Sequence, residues 1–186
     1  MNLNYEKNLV SNPLATILIS HMVNDNYDYI TQKLNSYNFN VYKYKIDESY
    51  NLDTIINNYD NNINLIKKEN PNSSIFILAC DLSTYIPLKY GSNNKNSFDG
   101  AILYSPKFLN LQENVTFKDT FIQNDLYKFE YPSLVLNNSC KDIYSDYSKF
   151  LFNNILSKDK EFNILNNLNE DSSAEYIYNW IKNRLI

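Results

Sequence analysis

The sequence predicts an α/β fold, a doubly wound and mainly parallel sheet of about six strands in one domain spanning residues 1–186. Three observations predict it. Short apolar runs alternate with longer segments of helical period, the strand, helix, strand order of a parallel sheet. A chain of 186 residues with 44% hydrophobic and 15% aromatic content is long and apolar enough to bury a real core. No internal repeat or linker-like stretch divides it.

The elements follow in order. "LATILIS" (Leu14 to Ser20) reads as a buried strand, and the next segment sets Tyr27, Ile30, Leu34 and Tyr37 on one helical face. "FNVYKYKI" is a more polar strand, expected nearer an edge. Leu52, Ile55, Ile56, Tyr59, Ile63 and Ile66 then line a helix that ends before Pro71, because the residue before a proline avoids helical geometry. "SIFILAC", "FDGAILYS" (Phe98 to Ser105), "PSLVLNN" (Pro132 to Asn138) and the weaker "EFNIL" (Glu161 to Leu165) supply the third to sixth strands. A capping-box pattern, Ser172 with Glu175, opens a last helix that carries Ala174, Ile177, Ile181 and Leu185 inward. Residues 107–131 show no clear period and read as a connector.

Composition narrows the function. Asparagine occurs 33 times beside abundant Ile, Tyr and Lys, as an A+T-rich coding sequence would give. A net charge of −4 without a basic run gives nucleic-acid binding no electrostatic support. Cys80 and Cys140 lie far apart, no leader-like segment opens the chain, and no apolar run reaches the ~20 residues of a membrane helix. The expectation is a soluble, cytoplasmic protein. With one histidine, His21, and two glycines, Gly91 and Gly100, glycine-rich phosphate loops and His/Cys metal clusters have no material, so no cofactor is expected.

Ligands of open α/β sheets bind beyond the carboxyl ends of the strands, which puts His21, Asp81, Pro106 and the Asn137 to Asp142 loop on one rim. "SIFILACDLSTYIPLKY" there reads as a strand, a sharp turn and a helix with Asp81 at the corner. With "ILISHM", "KKENPNSSIFILACDLST", "FDGAILYSP" and "YPSLVLNNSCKDIYSDYSKFLF" in this order, the chain resembles the α/β-hydrolases of the monoacylglycerol lipase type, including the monoglyceride-lipase-like proteins of poxviruses. The resemblance runs from about Leu14 onward. It implies a minimal hydrolase core that lacks the two leading strands and keeps only residues 107–131 of the lid.

The resemblance also sets the catalytic register. A nucleophile elbow needs small residues two before and two after the nucleophile. Ala79 and Ser83 flank Asp81 in this way, whereas Leu78 and Leu82 flank Cys80, so Asp81 stands at the nucleophile position. The family's serine is absent. The region of its catalytic histidine holds Asn166, Asn167 and Asn169, and its acid position falls on Lys141, with Asp142 one residue further on. His21 matches the structural histidine of the His-Gly turn, and Met22 replaces the glycine that helps shape the oxyanion hole. Apart from the resemblance, Asp81 reads as a helix N-cap and Asp25 and Asp28 as first-turn carboxylates. Pro87 is expected to kink or shorten the helix behind the corner.

Three functions stay open on the sequence. The first is a degenerate hydrolase, a pseudoenzyme that binds a small acyl or lipid ligand or a protein at an open rim. The second is a weak ester or lipid hydrolase with Asp81 as nucleophile and His21 as substitute base. The third is another doubly wound domain, such as a flavodoxin-like one. A hydrolase core would set the family's fourth, third, fifth, sixth, seventh and eighth strands side by side, with Asp81 at the end of a central one.

Overall fold

The computed structural model describes residues 5–22, 26–47, 49–107, 124–137, 143–165 and 170–185. Among the described residues seven strands form one sheet: β1 (Tyr5–Asn8), β2 (Ala15–Met22), β3 (Phe39–Ile46), β4 (Ile75–Cys80), β5 (Gly100–Tyr104), β6 (Ser133–Asn137) and β7 (Lys160–Ile164). Their order across the sheet is β1-β3-β2-β4-β5-β6-β7. All neighbours are parallel except β1, which pairs antiparallel with β3 in the register Tyr5 to Tyr44. The helices among the described residues are α1 (Asp28–Ser36), α2 (Leu52–Glu69), α3 (Tyr85–Asn93), α4 (Ile143–Asn154) and α5 (Glu170–Lys182).

The apolar runs are continuous because both faces of the sheet are covered. Along β4, Ile75, Ile77 and Ala79 join one buried cluster with Ile55, Tyr59 and Ile63 of α2, Leu88 of α3 and Leu151 of α4. Phe76, Leu78 and Cys80 join the other with Ile30 and Leu34 of α1 and Ala174, Ile177 and Trp180 of α5. Successive strand residues point to opposite faces, so one six-residue run serves two cores.

The structure departs from the sequence expectations at the margins. Seven strands stand where about six were expected: "YEKN" of β1 is four polar residues long and carries no apolar signal. By covering β3, β1 moves that strand off the edge. Lys43 of β3 is consequently buried, with ion pairs to Glu6 of β1, at 2.6 Å, and to Asp28 of α1. Helix α5 begins at Glu170, so Ser172 is its third residue and not its cap. Pro87 is the third residue of α3, in the first turn, where a backbone N–H has no acceptor within the helix, and it does not break it. Helix α2 does end before Pro71 and is capped at its start by Asn51, whose Oδ1 accepts from Thr54 N–H at 2.9 Å. Among the described residues no helix is long and apolar enough to cross a membrane.

Candidate functional site: the corner after β4

Cys80, the last residue of β4, is fully extended at φ −114° and ψ 138°, and the chain then turns abruptly into a 3-10 turn, Asp81–Thr84, that runs on into α3. Asp81 takes φ 52° to make the turn. A non-glycine residue in this left-handed region costs on the order of 1–3 kcal/mol and persists only where its surroundings impose it. The surroundings are visible. Ala79 and Ser83 have no exposed surface, as two small residues between strand and helix require. The Ser83 hydroxyl accepts from Cys80 N–H at 3.0 Å and lies 2.6 Å from the Ser20 carbonyl oxygen of β2. Ser83 thus does more than leave space, since it ties the corner to the neighbouring strand. On the other side, Ser105 after β5 also takes a positive φ, 46°.

The Asp81 carboxylate is held by two side chains. Tyr27, just before α1, donates its hydroxyl to Oδ2, and Lys107 places Nζ 2.7 Å from Oδ1. Lys107 is doubly attached, because its backbone N–H donates to the Asp81 carbonyl at 3.3 Å. The side chains of Asp81 and Lys107 are 13% and 41% exposed, so the carboxylate is mostly covered while the ammonium still meets solvent. The N-cap expectation for Asp81 is corrected: no backbone N–H among the described residues donates to its carboxylate, which points to Tyr27 and Lys107. Positive φ turns the side chain away from the helix start, and Ser83 takes up the capping bond instead.

His21 lies near the end of β2 and is buried. Its Nδ1 is 2.8 Å from the Met22 carbonyl oxygen, which places the proton on that nitrogen, since a carbonyl only accepts. Its ring packs against that of Tyr27, with centroids 5.6 Å apart and planes at 58°. Tyr27 therefore touches both predicted residues, and the group hydrogen-bonded to Asp81 is its phenol, not the imidazole. Met22 ends β2 and packs half-buried at the core's edge. Asp25, Lys141, Asp142, Asn166, Asn167 and Asn169 lie outside the described residues.

The far end of the connector is fixed as well. Asp125 is buried and receives Ser92 Oγ at 3.0 Å, Tyr85 OH at 3.2 Å and Lys89 Nζ at 3.3 Å, all from α3. Burial, and then the Asp125 charge, push the Tyr85 pKa well above the usual tyrosine range. Residues 107 and 125 are thus both anchored on the segment that begins at the corner. Tyr27, Lys107 and Asp125 belong to no motif, and their roles appear only when strands and helices are assembled.

A cleft of about 300 Å³ lies at the opposite end of the sheet, lined by Lys95, Asn96, Phe98, Lys128, Glu130 and Tyr131. It sits by the start of β5, not by the corner. Among the described residues no cluster of His, Cys, Asp or Glu is arranged to hold a metal ion.

Strand order and corner together define an α/β-hydrolase fold in minimal form. The parallel order alone is shared with flavodoxin-like sheets. The antiparallel edge strand and the strained residue closing a central strand are the additional features. No protein-family model matches the sequence, and no curated protein matches it. Solved structures do match. Dienelactone hydrolase from Anabaena variabilis superposes with a TM-score of 0.79 at 6% identity, over 98% of this chain and 92% of that one. The monoacylglycerol lipase of Paleococcus ferrophilus gives 0.76 at 13% identity, over 99% of this chain and 100% of that one. A soluble variant of monoglyceride lipase from Saccharomyces cerevisiae gives 0.65 at 14%, over 97% of this chain and 90% of that one. At these identities the likeness is one of fold.

Proposed function

We propose that this chain is a catalytically degenerate α/β-hydrolase of the monoacylglycerol-lipase, poxvirus-like type, acting in the cytoplasm as a binding domain and not as a hydrolase. One observation carries the reading: the residue at the nucleophile corner is a carboxylate already engaged by an ammonium at 2.7 Å and by a phenol. A nucleophile has to present a lone pair to substrate and then be relieved of its adduct by water that a base activates. Here the lone pairs are directed at Lys107 and Tyr27, and the single imidazole of the sequence is buried with Nδ1 on a main-chain carbonyl. Lys141 at the acid position and asparagines in the histidine region agree with this reading. Purified protein incubated with monoacylglycerols and p-nitrophenyl esters should give no turnover above a buffer blank. Turnover that vanishes in Asp81→Ala would sink the reading.

A second reading, weak ester hydrolysis through Asp81, draws on the retained strain at φ 52° and on His21 lying one ring away through Tyr27. It requires the imidazole within about 3 Å of the attacking water, directly or through one more water. In that case His21→Gln would abolish turnover while Tyr27→Phe would leave part of it.

A further inference from the structure

The corner holds a ligand of a kind, and it comes from the chain itself. Where a hydrolase fold presents its nucleophile to substrate, a primary ammonium lies 2.7 Å from the Asp81 carboxylate. We propose that the Asp81 corner is an ammonium-binding site, filled by Lys107 as an internal ligand, whose external ligands are primary alkylammonium compounds. The proposal rests on the reading that Asp81 is not a nucleophile.

Three features of the site carry it. The carboxylate is oriented in advance, with the Tyr27 hydroxyl on Oδ2 leaving Oδ1 to the cation. At 13% exposure, an uncompensated carboxylate is costly, so the site demands one positive charge and repels a second negative one. That demand argues against a fatty-acid carboxylate at this spot, since it would bring like charge against Asp81 once Lys107 moved aside. Finally, the Lys107 side chain is 41% exposed, and its backbone N–H is fixed separately on the Asp81 carbonyl. The ammonium can therefore leave its place while the main chain stays, and an amine arriving from solvent can take the same Oδ1.

Chemical rescue tests this. In Lys107→Ala, propylammonium chloride should raise the melting temperature saturably, by about 2–4 °C beyond equal sodium chloride, the shift expected of a modest ion pair in a domain of this size. Tetramethylammonium, which has no N–H to donate, should do less. In the Lys107→Ala, Asp81→Asn double variant the effect should vanish. An equal shift in the double variant, or no saturable shift in a folded Lys107→Ala protein, overturns the proposal. If Lys107→Ala does not fold, the intact protein decides: propylammonium should move the NMR signals of Tyr27 and Lys107 saturably, and unmoved signals overturn it equally. Esterase assays on the same preparations separate the two ideas. Asp81-dependent turnover defeats the functional reading, whereas failed rescue without turnover defeats only the ammonium assignment.

Discussion

Replacing Asp81 by glycine and by alanine separates the shape of the corner from its chemistry. Both substitutions remove the carboxylate, so both lose the bonds to Tyr27 and Lys107. Hydrogen bonds to charged groups contribute roughly 1.5–3 kcal/mol, and the half-exposed Lys107 puts its share at the low end, giving a common loss of about 2 kcal/mol. They differ in the backbone. At φ 52° alanine keeps a Cβ against the following carbonyl, a cost of about 1–2 kcal/mol, while glycine has none. Glycine gives back about 0.4–1 kcal/mol through the greater freedom of its unfolded chain. Asp81→Gly should therefore be more stable than Asp81→Ala by about 0.5–1 kcal/mol, roughly 1–4 °C in melting temperature for a domain of this size. At a right-handed position inside a helix the order would be reversed. Urea unfolding of the three proteins at one pH measures both quantities. An alanine variant more stable than the glycine variant would refute the strained corner and, with it, the assignment of Asp81 to the nucleophile position.

Other regions make independent predictions. A Cβ on Gly91 would stand 2.5 Å from Cε2 of the fully buried Phe129, so overpacking of about 2–3 kcal/mol should outweigh the ~1 kcal/mol helix gain of Gly91→Ala; calorimetry should show a lower melting temperature, and a rise would contradict this packing. Ser83→Ala leaves the buried Cys80 N–H without its acceptor and should cost about 1–3 kcal/mol in urea unfolding, although alanine fits the space. Glu6 is held at a pKa of about 2, against 4.5 ordinarily, by its hydrogen bond to Lys43 and then by that to Lys45. Because its folded pKa is depressed, its contribution is complete above pH 4.5 and fades as pH falls toward 2. The stability gap between the unmodified protein and Glu6→Gln should close over that window, and a gap constant with pH would disprove the pairing.

How much could be read in the sequence follows from where each signal resides. Strands β2, β4, β5 and β6 are buried on both faces, so each announces itself as an apolar run, and α2 shows one face because its other faces water. Strand β1 was illegible, since "YEKN" is stabilised by pairing with β3 and by the Glu6 to Lys43 ion pair, both of them distant in sequence. The position of Asp81 was legible through Ala79 and Ser83, whose small size is a local requirement of the turn. Its partners were not. Tyr27 is 54 residues away, and the Asp125 anchor joins α3 across 36 residues to Lys89, separations over which no periodicity operates.

The shape of the corner is separable from the group it carries. The conformation at Asp81 is imposed by the Ser83 hydroxyl on β2 and β4, by Ala79 beneath it and by the parallel register that sets Cys80 beside Tyr104. None of these contacts involves the Asp81 carboxylate, so the turn does not depend on the group it carries. What the carboxylate adds is charge: covered as it is, it needs a cation, and Lys107 supplies it. The strain then holds an ion pair that fixes the chain leaving β5 to the start of α3, while Asp125 fixes the returning chain further along the same helix. With a carboxylate at its tip, the corner after β4 is thus an attachment point for the chain that leaves β5.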